Sequence, residues 1–290
     1  MKPEEQQVRN GGYVVRCMTP TEIQMAVDWA ASEGWNPGLQ DAGCYAAADP
    51  EGFLIGLLDG APVATISALR YGASFGFLGF YIVRPEHRGK GYGMRIWNAG
   101  MKYLEGRNIG LDGVVAQQDN YRKSGFRLAY RNVRYQGVGG GSAPEIGEIV
   151  PLSSLPFDAV EAYERPFFPT GRSAFLRAWI QQPDGHALGV LRNGTLHGYG
   201  VIRRCRSGYK VGPLFADTPE LAAALFQSLK SRVSPSDPVF LDTPEVNEAA
   251  VRLAEGHDMN IVFETARMYT RDTPDLPLNR VFGVTSFEVG

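Results

Sequence analysis

Residues 84–97, RPEHRGKGYGMRIW, set three glycines and five basic residues among fourteen positions, directly after the apolar run FLGFYIV. So little side chain cannot make a core, and the segment reads as a bend between a strand and a helix. Glycines let such a bend turn consecutive N–H groups into one concavity, and the helix start behind it adds partial positive charge. A helix N-terminus favours an anion by about 0.3–1 kcal/mol. Each charge-assisted hydrogen bond adds about 1.5–3 kcal/mol. A carboxylate engages few such donors and a diphosphate most of them, so a diphosphate is the expected ligand.

Two familiar phosphate motifs fail at named positions. The segment contains no GxxxxGK followed by Ser or Thr, and Met94 and Ile96 stand where the third glycine of GxGxxG would fall. The net charge of the 290-residue chain is -2, so the basic segment is local and a spread nucleic-acid surface is not expected. The opening MKPEEQQVRNGG lacks the apolar stretch of a signal peptide, and no window of about eighteen apolar residues occurs, so a cytoplasmic protein without membrane contact is expected. Cys17, Cys44 and Cys205 are too scattered to spell a disulfide framework or a metal site.

The chain has room for two domains. In the first half, YVVRC reads as a strand, and Thr19, Pro20 and Glu22 form a capping box for a helix over 20–33. Asp59-Gly60 is a tight turn within a hairpin, and 75–83 is a third strand. Met94, Trp97, Met101 and Leu104 then give a helix one apolar, core-facing side. DGVVAQQ is a further strand, and RLAYRNVRYQ closes the first unit. GVGGGSAP, 137–144, is the expected linker, which divides the chain into 1–136, the linker and 145–290. Beyond it the element order recurs, as in a diverged duplicate.

Val83-x-Pro85-x-x-Arg88-Gly89-x-Gly91-x-Gly93 after a strand resembles the acetyl-CoA loop of the GNAT N-acetyltransferases. Tyr121-Arg122-Lys123-Ser124-Gly125-Phe126 resembles their later Tyr-x-Lys-x-Gly-Phe signature. The likeness spans about 13–136, and GWNPG with FGVTSFEVG resembles a tandem bacterial subgroup. It implies an α/β fold of the α+β kind: a mixed, mostly antiparallel sheet flanked by helices, in two tandem copies. It also implies acetyl-CoA as co-substrate, with no metal, and a primary amine as acceptor; the alternative is a non-catalytic acyl-CoA sensor.

On this resemblance, Ile82 and Val83 pair with the pantetheine arm. The backbone N–H groups of Arg88, Gly89, Lys90, Gly91, Tyr92 and Gly93 hold the diphosphate. Asn120 and Lys123 lie near the adenine or pantetheine, unless Asn120 only caps its helix. Tyr121 returns a proton to the departing thiolate, unless it merely packs; a phenol near pKa 10 stays protonated at neutral pH. Trp35, Asn36 and Asp41 line the acceptor pocket, with core packing and loop capping as the alternatives for Trp35 and Asp41. The strand FGFLGFYIV has no carboxylate to act as base, which leaves Tyr81, a water chain or the acceptor's own equilibrium.

The second half departs from the pattern. After YKVGPLF the chain reads ADTPELAAAL, without glycines and with Asp217 and Glu220 at the helix start, where Asp217 suits an N-cap and repels a diphosphate. A degenerate copy is expected there, shaping the acceptor cleft or a subunit contact, and so allowing a homodimer.

Overall fold

The computed structural model describes residues 12–144 and 148–290; the polar opening and the start of the expected second unit lie outside them in part. The first half runs β1 (Tyr13–Cys17), α1 (Pro20–Ser32), α2 (Asp41–Ala48), β2 (Phe53–Leu58), β3 (Ala61–Tyr71), β4 (Phe75–Val83), α3 (Tyr92–Tyr103), β5 (Asn108–Val114), α4 (Gln118–Lys123) and β6 (Arg127–Val138). The second runs β7 (Ile149–Pro151), α5 (Phe157–Glu164), α6 (Ser173–Ile180), β8 (Gly185–Arg192), β9 (Thr195–Arg204), β10 (Tyr209–Ala216), α7 (Pro219–Lys230), β11 (Pro238–Pro244), α8 (Glu248–Gly256), β12 (Asn260–Tyr269) and β13 (Val281–Gly283).

Local chemistry explains the elements that position the site. Thr19 N donates to Glu22 Oε2 at 2.8 Å, which closes the capping box of α1. Asp59 and Gly60 take positive φ angles of 50° and 84°, as the primed turn between β2 and β3 requires. In α3 the buried face is Ile96, Trp97 and Gly100, with Leu104 just beyond. Met94, expected in that apolar stripe, is instead 59% exposed and lines the cavity at the start of the helix.

All the described strands join one sheet in the order β1-β2-β3-β4-β5-β12-β6-β11-β10-β9-β8-β7, with β13 added on β10. The pairings are antiparallel except β4 with β5 and β10 with β11. The halves exchange strands. β6 does not close the first unit against β5; it pairs with β12 on one edge and β11 on the other. β12, from the second half, takes the place beside β5. A strand buried at Tyr130 and over 132–135 must satisfy its backbone on both edges, and these two partners do so.

The first part of the expected linker, 137–140, is therefore a fixed junction between the halves. Gly137 and Val138 belong to β6, Gly139 N donates to Asp237 O at 2.9 Å, and Gly140 N to Lys230 O at 2.8 Å. Close packing against Val233 and Pro235 explains why glycines stand here.

The duplication has one instructive difference. In the second half β10 and β11 run parallel over 209–211, then separate, and β13 pairs with β10 at Leu214 and Phe215. The gap is thus filled by the chain's own final segment. Asp217 is not the cap of α7: Thr218 is, accepting from Leu221 N, while Asp217 accepts from Tyr163 and is paired with His197 and Arg280.

Candidate active site

In the first half the equivalent gap is open. β4 and β5 pair only over Phe75–Leu78 and Asn108–Leu111, so the edge of β4 beyond Leu78 faces away from any partner strand. A bulge produces the divergence: between the Thr65↔Ile82 and Ser67↔Gly79 pairs, one residue of β3 faces two of β4. Phe80 sits in the bulge with φ 46°, uncommon for a bulky residue. It is held there by Thr65 Oγ1, which donates to Phe80 O at 2.8 Å, and by the rings of Tyr45 and Phe53 at 5.4 and 5.7 Å.

The gap is a cavity of about 670 Å³ running between β4, β5 and the start of α3. At one end lies the glycine bend, with Gly89 and Gly91 at φ 73° and 83°. Arg88 N is already spent on Pro85 O at 3.2 Å, and the first intrahelical donor here is Arg95 N, to Gly91 O at 3.3 Å. Among the described residues, the amides from Gly89 to Met94 have no protein acceptor. Arg88 was expected to lend its N–H to the anion; that donor closes the turn instead. Its guanidinium is also occupied, by Val83 O at 2.8 Å and by Glu33.

Ile82, Val83, Arg88, Gly89, Gly91, Gly93, Tyr81, Tyr121 and Trp35 all border this cavity. Lys90 and Tyr92 contribute backbone to the bend, while Lys90 is exposed and the Tyr92 ring stacks on Tyr13 at 4.9 Å. Asn120 and Lys123 stand on the outer side of α4. Asn120 Nδ2 donates to Gln117 Oε1 at 2.7 Å and caps nothing.

Tyr121 reaches the wall because the short α4 lays it on Trp97, with ring centres 5.7 Å apart. Gly113 makes this possible: a β-carbon there would collide with the Tyr121 ring. Burial pushes the phenol up to about 12, with Tyr81 adding to the shift. It therefore stays a proton donor across the physiological range. Tyr81, against Trp97 at 5.2 Å, is likewise raised by burial.

Two acceptor-pocket expectations need correction. Asp41 is fully buried and away from the cavity: it pairs with Arg203 at 2.9 Å and accepts from Tyr45 OH at 3.0 Å and Gly38 N at 2.8 Å. A carboxylate so satisfied holds the halves together and has nothing left for an amine. Asn36, with φ 52°, exchanges two hydrogen bonds of 2.9 Å with the Ser207 backbone and is a clip between the halves. Trp35 does line the cavity, and its carbonyl accepts from Arg134 Nη1 at 2.8 Å.

The far wall comes from residues sequence reasoning did not reach. Phe263 and Thr265 of β12, Phe287 and Glu288 of the final segment, Arg134 of β6 and Asp112 of β5 close it. Arg134 forms a bidentate pair with Asp242 at 2.6 and 2.7 Å, and Asp112 one with Arg267 at 2.8 and 2.5 Å. FGVTSFEVG was visible as a tail motif, but only the strand exchange brings it to the first half.

A chain with this bulged fourth strand, splayed partner strand and open amide bend before the third helix belongs to the GNAT family of acyltransferases, with two such domains in tandem. The Acetyltransferase (GNAT) family description matches residues 21–126, and the Acetyltransferase (GNAT) domain description matches 160–283. A curated relative, holothin acyltransferase of Pseudoalteromonas sp. (strain SANK 73390), is 28% identical over 269 residues, covering 93% of this chain and 92% of the relative. Among solved structures, a putative acetyltransferase from Pyrococcus horikoshii superposes with a TM-score of 0.83 at 20% identity, covering 100% of both chains. A tandem GNAT protein from the clavulanic acid biosynthesis pathway gives 0.64 at 11% identity, over 91% of this chain and 99% of its own. The chain is an acyltransferase, and no helix among the described residues is long and apolar enough to cross a membrane.

Proposed function

We propose that the protein transfers an acetyl group from acetyl-CoA to the primary amine of a small, largely apolar acceptor, by direct attack with both substrates bound. The observation that carries this reading is the run of unspent amides from Gly89 to Met94 at the mouth of the cavity between β4 and β5. Six backbone donors at a helix start suit a diphosphate. The unpaired edge of β4 from Gly79 to Val83 offers backbone groups to an amide-bearing arm, although Val83 O is shared with Arg88.

Tyr121 is the proton donor for the leaving sulfur. Its hydroxyl has no protein partner among the described residues and its pKa of about 12 keeps the proton on until it is needed. Trp35, Phe263 and Phe287 give the acceptor end flat apolar walls, which favours a compact acceptor over a peptide. A holothin acyltransferase among the relatives supports a small-molecule acceptor.

The test is release of free thiol from acetyl-CoA across a panel of small amines, with acetyl-CoA binding followed by calorimetry. Binding together with turnover of at least one amine is expected. No binding of acetyl-CoA would overturn the reading.

A further inference from the structure

Resting on that reading, we propose that Glu288, delivered by the C-terminal segment, is the base that takes the proton from the attacking amine. β4 carries no carboxylate, and at Gly79 it carries no side chain at all. What occupies that space is the Glu288 backbone: a β-carbon on Gly79 would overlap the Glu288 carbonyl oxygen. The strand has given up a side chain beside its bulge, which admits the tail backbone there and so brings the residue that carries the Glu288 carboxylate to the cavity wall.

The route of the tail is fixed along its length. β13 pairs with β10, Val284 N donates to Asp242 O at 2.8 Å, Tyr71 OH donates to Val289 O at 2.8 Å, and Arg172 Nη1 donates to Gly290 O at 2.7 Å. The segment that fills the dead gap of the second half thus ends on the open gap of the first. Glu288 is 3% exposed and lies on the cavity wall. Ser286 Oγ donates to Glu288 Oε2 at 2.5 Å and accepts from Glu288 N at 3.0 Å, with Tyr45 OH 3.4 Å from Ser286 Oγ. Among the described residues no donor is aimed at Oε1, which leaves that oxygen for a substrate proton.

The other carboxylates near the cavity are committed. Both oxygens of Asp112 are taken by Arg267, and Asn132 also donates to one of them. Glu33 stands at the bend end, paired with Arg88. Tyr81 is raised by burial and is no base at neutral pH. The charged and titratable groups around Glu288 are Asp112 of β5, Arg134 of β6, Arg203 of β9, Lys210 of β10 and Tyr45 of α2.

The step balances without another reactant. Glu288 takes one proton from the ammonium and passes it to solvent; the freed nitrogen pair forms the C–N bond as the C–S bond breaks. The sulfur leaves with the Tyr121 proton, and the second proton shed by the new amide nitrogen reaches the Tyr121 phenolate through solvent.

The test compares wild type with Glu288→Gln and Glu288→Asp, using an amine that wild type turns over in the panel. Each variant is assayed for acetyl-CoA affinity, thermal midpoint and the pH dependence of kcat/KM. Glu288→Gln should keep acetyl-CoA affinity and lose about 10²- to 10⁴-fold in kcat/KM, its remaining rate rising with hydroxide across the range where wild type is flat. Glu288→Asp should lie between the two. An unchanged profile in Glu288→Gln would overturn the proposal, as would an equal loss of acetyl-CoA affinity, which would make Glu288 a packing residue. Wild type that binds acetyl-CoA but acetylates no amine in the panel would also overturn it, whereas absent binding contradicts the proposed function itself.

Discussion

Gly79 and Glu288 lie in direct backbone contact on the cavity wall, close enough that a side chain at 79 would overlap the tail. Two segments separated by most of the chain are thus fitted together at one α-carbon. Gly79→Ala should cost about 1–3 kcal/mol, as overpacking does. It should also lower kcat/KM more than acetyl-CoA affinity. A thermal melt and a calorimetric titration check both; an alanine variant with wild-type melting and turnover would show that the contact gives way freely.

Tyr121→Phe removes one hydroxyl and keeps the ring on Trp97. Acetyl-CoA binding should persist while kcat falls about a hundredfold or more. Because burial holds the phenol near 12, ionisation of Tyr121 should bring no alkaline decline in wild-type kcat below about pH 10. Equal turnover in the phenylalanine variant would remove Tyr121 from the chemistry.

The Asp41–Arg203 pair carries stability rather than recognition. Beyond Nε, neither Nη1 nor Nη2 of Arg203 has a partner among the described residues, so Asp41 is the main compensation for a buried cation lying 4.3 Å from the Trp179 ring centre. Asp41→Asn should destabilise by about 3–5 kcal/mol. Asp41→Leu combined with Arg203→Met should recover much of that loss. Denaturant unfolding of the three proteins measures it, and a double variant no better than the single would contradict the account.

How much of this was legible beforehand depended on how local each feature is. The capping box at Thr19, the turn at Asp59-Gly60 and the glycine bend are each written in a few neighbouring residues, and the fold family followed from two such stretches in order. The strand exchange was not legible, because nothing in RLAYRNVRYQ says whether its edges meet β5 or β11; that depends on register across the whole sheet. Asp41 reads as a pocket residue in the sequence for the same reason: its partner, Arg203, is 162 residues away. Glu288 became visible as a cavity residue only once the tail was seen to cross from one half to the other.

Acid should weaken the junction between the halves. Burial opposes ionisation of Asp242, but the bidentate Arg134 outweighs it and keeps the carboxyl below its usual range. A folded-state pKa below the unfolded value gives stability that is present above about pH 4 and lost as pH falls through the folded value. Melting temperature should therefore drop on acidification in wild type, and less steeply in Asp242→Asn, whose midpoint near neutrality is already lower. Parallel pH curves for the two proteins would contradict this.

The most direct measurement is the stoichiometry of acetyl-CoA binding by calorimetry, in wild type and in Gly91→Glu. If the first half presents the amide bend while the second has its gap filled by β13, one molecule should bind per chain. That binding should vanish when a carboxylate is placed at position 91. Two molecules per chain, or undiminished binding in Gly91→Glu, would contradict the account.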